Sequence, residues 1–231
     1  MRLSEQLRAM LDAPSTTERE IHAFLKKHKD IVVGAFATSW NYTNAFAEVQ
    51  LGADLRVDFL VLCANSGQWI AHLVELKSPS AALYTSKGVK SRDLLLVERQ
   101  LAQRLEWRRT NEQAFREALA KRVSSETAAQ CSNASVHTGA KSELRDLSTY
   151  ISHHTHCLIG RSSVLTDHER ALRRQDDQAH AWGSPAVVTY DRLLRSAARC
   201  EGARGPTVPS SGRAIGAPPK SSAGPRVSLK K

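Results

Sequence analysis

Residues 55–79, LRVDFLVLCANSGQWIAHLVELKSP, decide the fold of this chain. Two runs, 55–63 and 69–77, are apolar at nearly every position toward a short polar segment that contains glycine and joins them. This pattern predicts a β-hairpin. Strands this apolar are typical of the centre of a sheet that is covered on both faces. Pro79 ends the second strand, since proline cannot donate a ladder hydrogen bond. A further strand is predicted before the hairpin, over 46–51.

The segments around the hairpin predict helices that pack on a sheet. Serine and threonine at 15–17, followed by apolar residues three and four apart, predict an amphipathic helix over 17–29. Residues 93–121 have no glycine or proline and predict a long helix with a break near 109–111. The remaining pattern predicts strand 155–160, helix 167–180, strand 186–190 and helix 191–199. This order of elements predicts an α/β fold with one mixed central sheet flanked by helices.

Composition divides the chain into three parts. Residues 1–14 are weakly patterned and are expected to be an N-terminal extension, and 15–200 are expected to form one domain. Residues 201–231 are rich in proline, glycine and serine and carry basic charge, which predicts a disordered tail. Within the domain, residues 123–142 turn to small polar residues and predict a flexible loop.

Charge, cysteine content and hydropathy exclude some classes of protein. The net charge is +10, but six basic residues of 202–231 account for part of it, and the rest of the chain carries +4. This balance permits a polyanionic partner without requiring one. The four cysteines form no C-x-x-C pair, so neither a zinc finger nor a disulfide framework is indicated. No segment fits a signal peptide or a membrane span, and we expect a cytoplasmic protein.

Three charged side chains occupy the hairpin. Glu75 and Lys77 are two residues apart, so they project from the same face of the strand. Pairing about the turn places Asp58 opposite residue 74, within one residue, and therefore beside Glu75. Mg²⁺ prefers hard oxygen ligands and usually takes one or two carboxylates plus waters. Asp58 and Glu75 are predicted to supply them together with the backbone carbonyl of Leu76.

The hairpin charges thus predict a Mg²⁺ or Mn²⁺ centre that hydrolyses phosphodiester bonds. Lys77 would orient the attacking water and offset charge that builds in the transition state. A structural alternative pairs Asp58 with Lys77 and leaves Glu75 in solvent. Charged groups within apolar strands are costly to bury without a purpose, which favours the functional interpretation.

Several stretches of the chain resemble a known family. The hairpin resembles the core of the PD-(D/E)XK nucleases, with the final aspartate and the Glu-x-Lys box both present. Resemblance to the C-terminal domain of Shedu anti-phage defence proteins covers about residues 15–199. It is carried by TEREIHAFLKKHKDIV (17–32), LLLVERQLAQRLEW (94–107), CLIGRSSVLTDHERALRRQ (157–175) and AVVTYDRLLRSA (186–197).

The resemblance implies a DNA endonuclease with a restriction-endonuclease-like fold, within an oligomer, acting against phage or plasmid DNA. It also implies that Gln100, on the helix after the box, faces the active site. The family's opening helix carries a metal-linked glutamate, and here Glu18 and Glu20 compete for that role. Glu18 fits better by its spacing to Ile21, although both glutamates also fit capping boxes.

Other interpretations of these residues stay open at this point. A catalytically silent nucleic-acid-binding or assembly module on the same fold is the rival function. Arg161 could contact phosphate or hold a loop. A metal site at the histidines of 153–156 is not expected, since neighbouring strand residues alternate faces. His72 is expected to be a core histidine facing away from Glu75. The arginines of the long helix are interpreted as a solvated face.

Overall fold

A computed structural model describes residues 1–37, 40–53, 55–65, 67–125, 137–179 and 185–203. The helices of this part are α1 (Leu3–Asp12), α2 (Glu18–Lys27), α3 (Lys29–Phe36), α4 (Arg92–Thr110), α5 (Glu112–Ser125), α6 (His137–Arg145), α7 (Asp167–Ala179) and α8 (Asp191–Ala203). The strands are β1 (Tyr42–Gln50), β2 (Arg56–Asn65), β3 (Gln68–Leu76), β4 (Tyr150–Leu158) and β5 (Ala186–Val188), and a 3-10 turn spans Ser162–Val164.

The five strands form one sheet in the order β1-β2-β3-β4-β5. β1, β2 and β3 are antiparallel neighbours, whereas β3, β4 and β5 run parallel. The chain returns between the parallel strands through helices, as parallel connections require. The predicted α/β fold with a mixed central sheet is confirmed.

Helices cover both faces of the sheet, which explains why β2 and β3 are almost wholly apolar. On one face, Phe59 and Val61 pack with Ile21, Ile31 and Leu193 from α2, α3 and α8. On the other face, two clusters follow each other along the sheet. One holds buried residues of β2 and β3 with those of α5 and α6, and the other holds buried residues of β4 and β5 with those of α4.

The N-terminal segment differs from the expected extension. Residues 1–14 contain α1, whose Leu7 and Leu11 are buried in the same core as α2 and α8. Ser4 donates to Glu201 through its backbone nitrogen and its hydroxyl, each at 2.7 Å. Asp12 accepts from Arg161 Nη1 at 2.8 Å. The local pattern of α1 offers only two leucines four residues apart. They dock the helix because α2 and α8, from other parts of the chain, supply the apolar surface that covers them.

The first predicted helix corresponds to α2, and a further helix that was not predicted follows it directly. α2 begins after Thr17, which forms a capping box with Glu20, and it ends at Lys27. α3 follows at once from Lys29 and buries Ile31 and Phe36. α3 was missed because its apolar run of β-branched residues does not have a clear helical period. Its packing against α8 and the sheet supports the helix instead.

The long predicted helix breaks as expected, at Asn111, between α4 and α5. The predicted loop over 123–142 differs in part. Its ends belong to α5 and to α6, and residues 126–136 lie outside the described part of the chain. α6 forms despite glycine and polar residues because Ala140 and Leu144 are buried against α5. Burial outweighs a weak intrinsic helix propensity here.

The strand predicted over 155–160 is longer at its start and shorter at its end. β4 begins at Tyr150 and pairs in parallel with β3 along its whole length. It ends before Gly160, which has a φ of +59°. A Cβ at this glycine would lie 2.6 Å from the carbonyl oxygen of Ala81, so only glycine fits. The predicted tail from 201 is helical to Ala203, and residues 204–231 lie outside the described residues.

Replacing Leu7 with alanine tests whether α1 belongs to the domain. Leu7 is fully buried, so Leu7→Ala is expected to lower the free energy of unfolding by about 2–5 kcal/mol. The neighbouring exposed residue provides the control, and Arg8→Ala is expected to change it by less than about 0.5 kcal/mol. Urea unfolding followed by circular dichroism measures both. Equal stability of the two variants would show that α1 is an appendage.

Candidate functional site

The candidate site lies where β2 and β3 separate. Their pairing ends with Phe59 opposite Val74, which places Asp58 level with Glu75. The predicted register was therefore correct within its one-residue margin. Beyond this pair, the Leu76 backbone N–H donates to Asp58 Oδ2 at 2.8 Å. A carboxylate thus replaces a strand carbonyl as acceptor, and the two chains open at this point.

A distortion in β1 and β2 coincides with Asp58. Glu48, on β1, is the one non-glycine residue with positive φ among the residues described, at 53°. Its neighbours pair regularly with β2, as Ala47 with Phe59 and Val49 with Val57. Val57 and Phe59 nevertheless pack on opposite faces of the sheet. The usual alternation is therefore broken at Asp58, and such strained positions are frequent at functional sites.

Glu75 is a buried acid with one cationic partner. Its exposed fraction is 6%, and Arg104 Nη2 lies 3.0 Å from both of its oxygens. Only Oε1 accepts a hydrogen bond with good geometry, so Oε2 is buried without one. The pKa of Glu75 is raised to about 7, first by burial and then by the negative charge of Asp58, against the opposing effects of Arg104 and Lys77.

Arg104 is a site residue that the sequence interpretation missed. It was assigned to a solvated face, yet it is buried. Its Nε and Nη2 donate to the backbone carbonyl of Arg56 at 3.1 and 2.6 Å, and Nη2 also contacts Glu75. A signal was present, because Leu94, Val97 and Leu101 form a stripe that position 104 continues with helical spacing.

Gln100 lies one helical turn before Arg104 on α4. Residues four apart share a face of a helix, so both side chains project from the same side of α4. Gln100 is half-buried, and its Oε1 has no hydrogen-bond partner in the described part of the chain. This placement is compatible with the expected orientation, and a role in the reaction stays a prediction.

The two glutamates of α2 have different environments. Glu20 is exposed and accepts from the Thr17 backbone nitrogen at 2.7 Å, which lowers its pKa. Glu18 is half-buried at the start of the helix. Burial raises its pKa, Lys77 lowers it, and Asp58 raises it. Glu18 therefore lies within electrostatic reach of the hairpin charges, whereas Glu20 caps the helix.

An open cleft of about 560 Å³ runs beside these charges. Its lining residues come from α2, β1 and the ends of β2 and β3; they are Glu18, Arg19, His22, Glu48, Arg56, Asp58 and Leu76. Four of them were not singled out from the sequence. Only His22 had a recognisable signal, because it follows Glu18 by one helical turn.

The donor set fits a hard divalent ion held by few protein ligands. No group of three or more His, Cys, Asp or Glu suited to a metal is present among the described residues. Mg²⁺ does not require such a group, since it keeps several waters. Asp58 and Glu75 are adjacent, and Glu75 Oε2 is a buried acceptor without a hydrogen bond. Leu76, whose carbonyl was predicted as a ligand, lines the cleft.

The structure also bears on the non-catalytic roles considered for Lys77, Arg161 and His72. Lys77 forms no ion pair with Asp58 in the described structure, and Glu75 is not in solvent. The side chain of Arg161 is buried between Asp12 and Asp191, so it holds the loop after β4. His72 Nδ1 lies 2.9 Å from His156 Nε2, and burial lowers the pKa of His72 to about 4. His72 is therefore a paired core histidine, as expected.

A family model described as Shedu protein SduA, C-terminal, matches residues 15–194, which is most of the chain. The chain belongs to the SduA C-terminal family. This membership associates it with Shedu antiviral defence. The matched range contains the cleft residues, Arg104 and every side chain that the sequence singled out for the site. A search of curated proteins found no match.

The membership confirms the resemblance to the Shedu C-terminal domain. It does not extend by itself to the PD-(D/E)XK assignment, which rests on Asp58, Glu75 and Lys77. None of the described helices combines the length and the apolar character needed to cross a bilayer.

The raised pKa of Glu75 predicts how pH affects the stability of this SduA-family domain. A carboxyl whose pKa is 4.5 unfolded and about 7 folded binds more protons in the folded state. Its charge therefore destabilises the fold as pH rises from 4.5 to 7. Glu75→Gln removes this titration. Relative to the wild type, the free energy of unfolding of Glu75→Gln is expected to increase by about 2 kcal/mol between pH 5 and pH 8.

Urea unfolding with EDTA at both pH values measures this difference. Glu106→Gln is the matched control, because Glu106 is exposed on α4 and its pKa is lowered by Arg109. A pH-independent difference for Glu75→Gln would show that Glu75 is fully ionised in the fold.

Proposed function

We propose that this domain is a metal-dependent DNA endonuclease of the PD-(D/E)XK type that acts in Shedu defence. One observation carries the proposal. Asp58 lines an open cleft, and Glu75, which is level with it across the hairpin, is buried with one oxygen lacking a hydrogen bond. The negative charge of Asp58 contributes to the raised pKa of Glu75, and a divalent cation would offset that charge.

The residues of the site would divide the work as follows. Asp58, Glu75 and the Leu76 carbonyl would hold Mg²⁺ or Mn²⁺, with Glu18 reaching it directly or through water. The bound ion would supply charge for the phosphate and lower the pKa of a coordinated water. The Leu76 N–H holds the Asp58 carboxylate in place through its hydrogen bond.

Lys77 supplies the free positive charge of the site. It forms no ion pair within the described residues, while its backbone nitrogen and oxygen are fixed by Leu158 and Tyr190. Its ammonium group would position the attacking water and balance charge on the transition-state phosphate. Gln100 would orient substrate or water from α4. Arg104 keeps Glu75 oriented by joining its Oε1 to the Arg56 carbonyl.

The same Arg104 supports a second candidate, a catalytically silent nucleic-acid-binding or assembly module. Its guanidinium already compensates the charge of Glu75, and a buried acid with a cationic partner is also a structural motif. Under this alternative the domain would bind DNA without cutting it, and removing Glu75 would not affect binding of a divalent ion.

A cleavage assay tests the nuclease proposal. Plasmid, linear and single-stranded DNA are incubated with Mg²⁺, Mn²⁺, Ca²⁺ or EDTA. Cleavage is expected with Mg²⁺ or Mn²⁺ only. Glu75→Gln and Lys77→Ala are each expected to lower the rate by at least about 100-fold, because the first removes a charge that would hold the metal ion and the second removes the charge that would balance the transition-state phosphate. Melting temperatures of both variants establish that they are folded.

Matched controls remove the same charges elsewhere. Glu106→Gln and Lys121→Ala change exposed helical residues and are expected to leave the rate within about twofold. Binding of Mn²⁺ is measured separately by calorimetry, and Glu75→Gln is expected to weaken it. Full activity in either site variant would refute the proposed mechanism. DNA binding without cleavage, together with Mn²⁺ binding unchanged in Glu75→Gln, would favour the silent module.

A further inference from the structure

Three arginines of α7 converge on a cavity of about 280 Å³ near the ends of β4 and β5. We call Arg170, Arg173 and Arg174 the arginine cradle. The remaining lining residues are Ser162, Leu165 and Asp177. The cradle has no role in the site described above and does not share a lining residue with its cleft.

Two of the cradle arginines, Arg170 and Arg173, are oriented by neutral acceptors. Arg170 Nε donates to the Leu165 carbonyl at 3.1 Å, and Arg173 Nη2 donates to the Val187 carbonyl at 3.0 Å. Neither side chain, nor that of Arg174, forms an ion pair within the described residues, although Asp177 lines the same cavity. Hydrogen bonds to carbonyls fix a guanidinium group without cancelling its charge. Arg170 and Arg173 therefore present positive charge in a fixed arrangement, and the exposed Arg174 adds charge beside them.

Arg173 also carries a donor that is not used. Its Nε is buried and has no hydrogen-bond partner in the described structure. A buried N–H without an acceptor is costly to the fold, so such groups usually mark a place for water or a ligand. An anionic oxygen is the acceptor that an arginine binds most strongly. This donor is an observation separate from the charge of the cradle.

The cradle lies at the same edge of the sheet as Lys77. β3, β4 and β5 are parallel, so their carboxyl ends share this edge. Lys77 follows β3, Ser162 follows β4, and Arg173 contacts β5. Two strand spacings separate β3 from β5, about 10 Å across the sheet. A DNA strand with a rise of about 3.4 Å per nucleotide covers that distance in about three nucleotides.

We propose that the arginine cradle binds the phosphodiester backbone of a DNA strand that extends from the candidate site. The choice of DNA over other phosphate-bearing ligands rests on the proposed function. Guanidinium groups bind phosphate oxygens in pairs, and contacts to the backbone position a duplex without reading its sequence. The cradle would thus increase the affinity for DNA and fix its position, whereas the Asp58–Glu75 region would hydrolyse the phosphodiester bond.

DNA binding without cleavage tests the cradle independently of catalysis. A fluorescein-labelled duplex of about twenty base pairs is titrated in EDTA at several salt concentrations. Arg174→Ala is expected to weaken binding about 3- to 10-fold, and Arg173→Ala/Arg174→Ala by more than about 10-fold. Each lost phosphate contact is expected to reduce the slope of log K against log salt by about 1.

Arg109→Ala is the matched control. Arg109 is an exposed helical arginine, and its charge is already paired with Glu106. Its replacement is expected to change the dissociation constant less than twofold. Arg174 is exposed, so Arg174→Ala tests the proposal even if the double variant does not fold. Arg174→Lys keeps the charge but not the paired donors, so it is expected to retain only part of the affinity.

The outcomes separate the cradle from the nuclease proposal. Weakened DNA binding in the cradle variants supports the cradle whether or not the domain cleaves DNA. Equal losses in Arg174→Ala and Arg109→Ala, or unchanged binding in both, would overturn it. A competition arm uses inorganic phosphate and ATP. Binding of these small anions at the cradle, with DNA affinity unchanged in the variants, would assign the cradle to a small phosphate ligand and overturn the assignment to DNA.

Discussion

The register of the β2–β3 hairpin is the constraint on which the candidate site depends. Phe59 lies opposite Val74, and this pairing alone brings Asp58 level with Glu75. A slip of one residue would send every side chain of one strand to the other face of the sheet and remove Phe59 and Val61 from the core that they share with α2, α3 and α8. Both faces are covered by helices, so the cost of that slip is large. The core of the domain therefore sets the position of its acids.

Where β2 and β3 separate, the backbone of β1 and β2 departs from regular strand geometry. Glu48 adopts a left-handed conformation, and the alternation of β2 breaks at Asp58. The Leu76 N–H then bonds to the Asp58 carboxylate rather than to a strand carbonyl. These departures lie at the cleft and not in the middle of the sheet. Strain of this kind persists only where the surrounding packing holds it, and here Phe59 and Val57 anchor both sides.

Two cationic side chains of the site differ in whether a carboxylate already pairs with them. Arg104 is buried, fixed by the Arg56 carbonyl and bonded to Glu75, so it holds one oxygen of the acid. Lys77 has no carboxylate partner within the described residues and remains available. The raised pKa of Glu75 shows that one guanidinium does not fully offset burial and the charge of Asp58. An acid in this state has a stronger interaction with an added cation than a solvated one.

Much of the fold and part of the site could be predicted from local sequence. The hairpin, the break at Asn111 and the adjacency of Asp58 to Glu75 follow from period, turn chemistry and strand geometry. α3, α6 and the docking of α1 could not be predicted, because distant residues supply the surfaces that bury them. Arg104 was misassigned for the same reason, since an arginine in a helix is usually solvated unless a remote acid meets it.

The sequence by itself determined an α/β sheet whose central hairpin carries two acids and a lysine, since alternation and turn length act within a few residues. Tertiary structure alone decided that Glu75 is buried against Arg104, that Glu18 rather than Glu20 approaches the site, and that the α7 arginines face a cavity. Each of these outcomes requires helices far apart in the chain to pack on one sheet. Only that packing determines which charges lose solvent and which partners they meet.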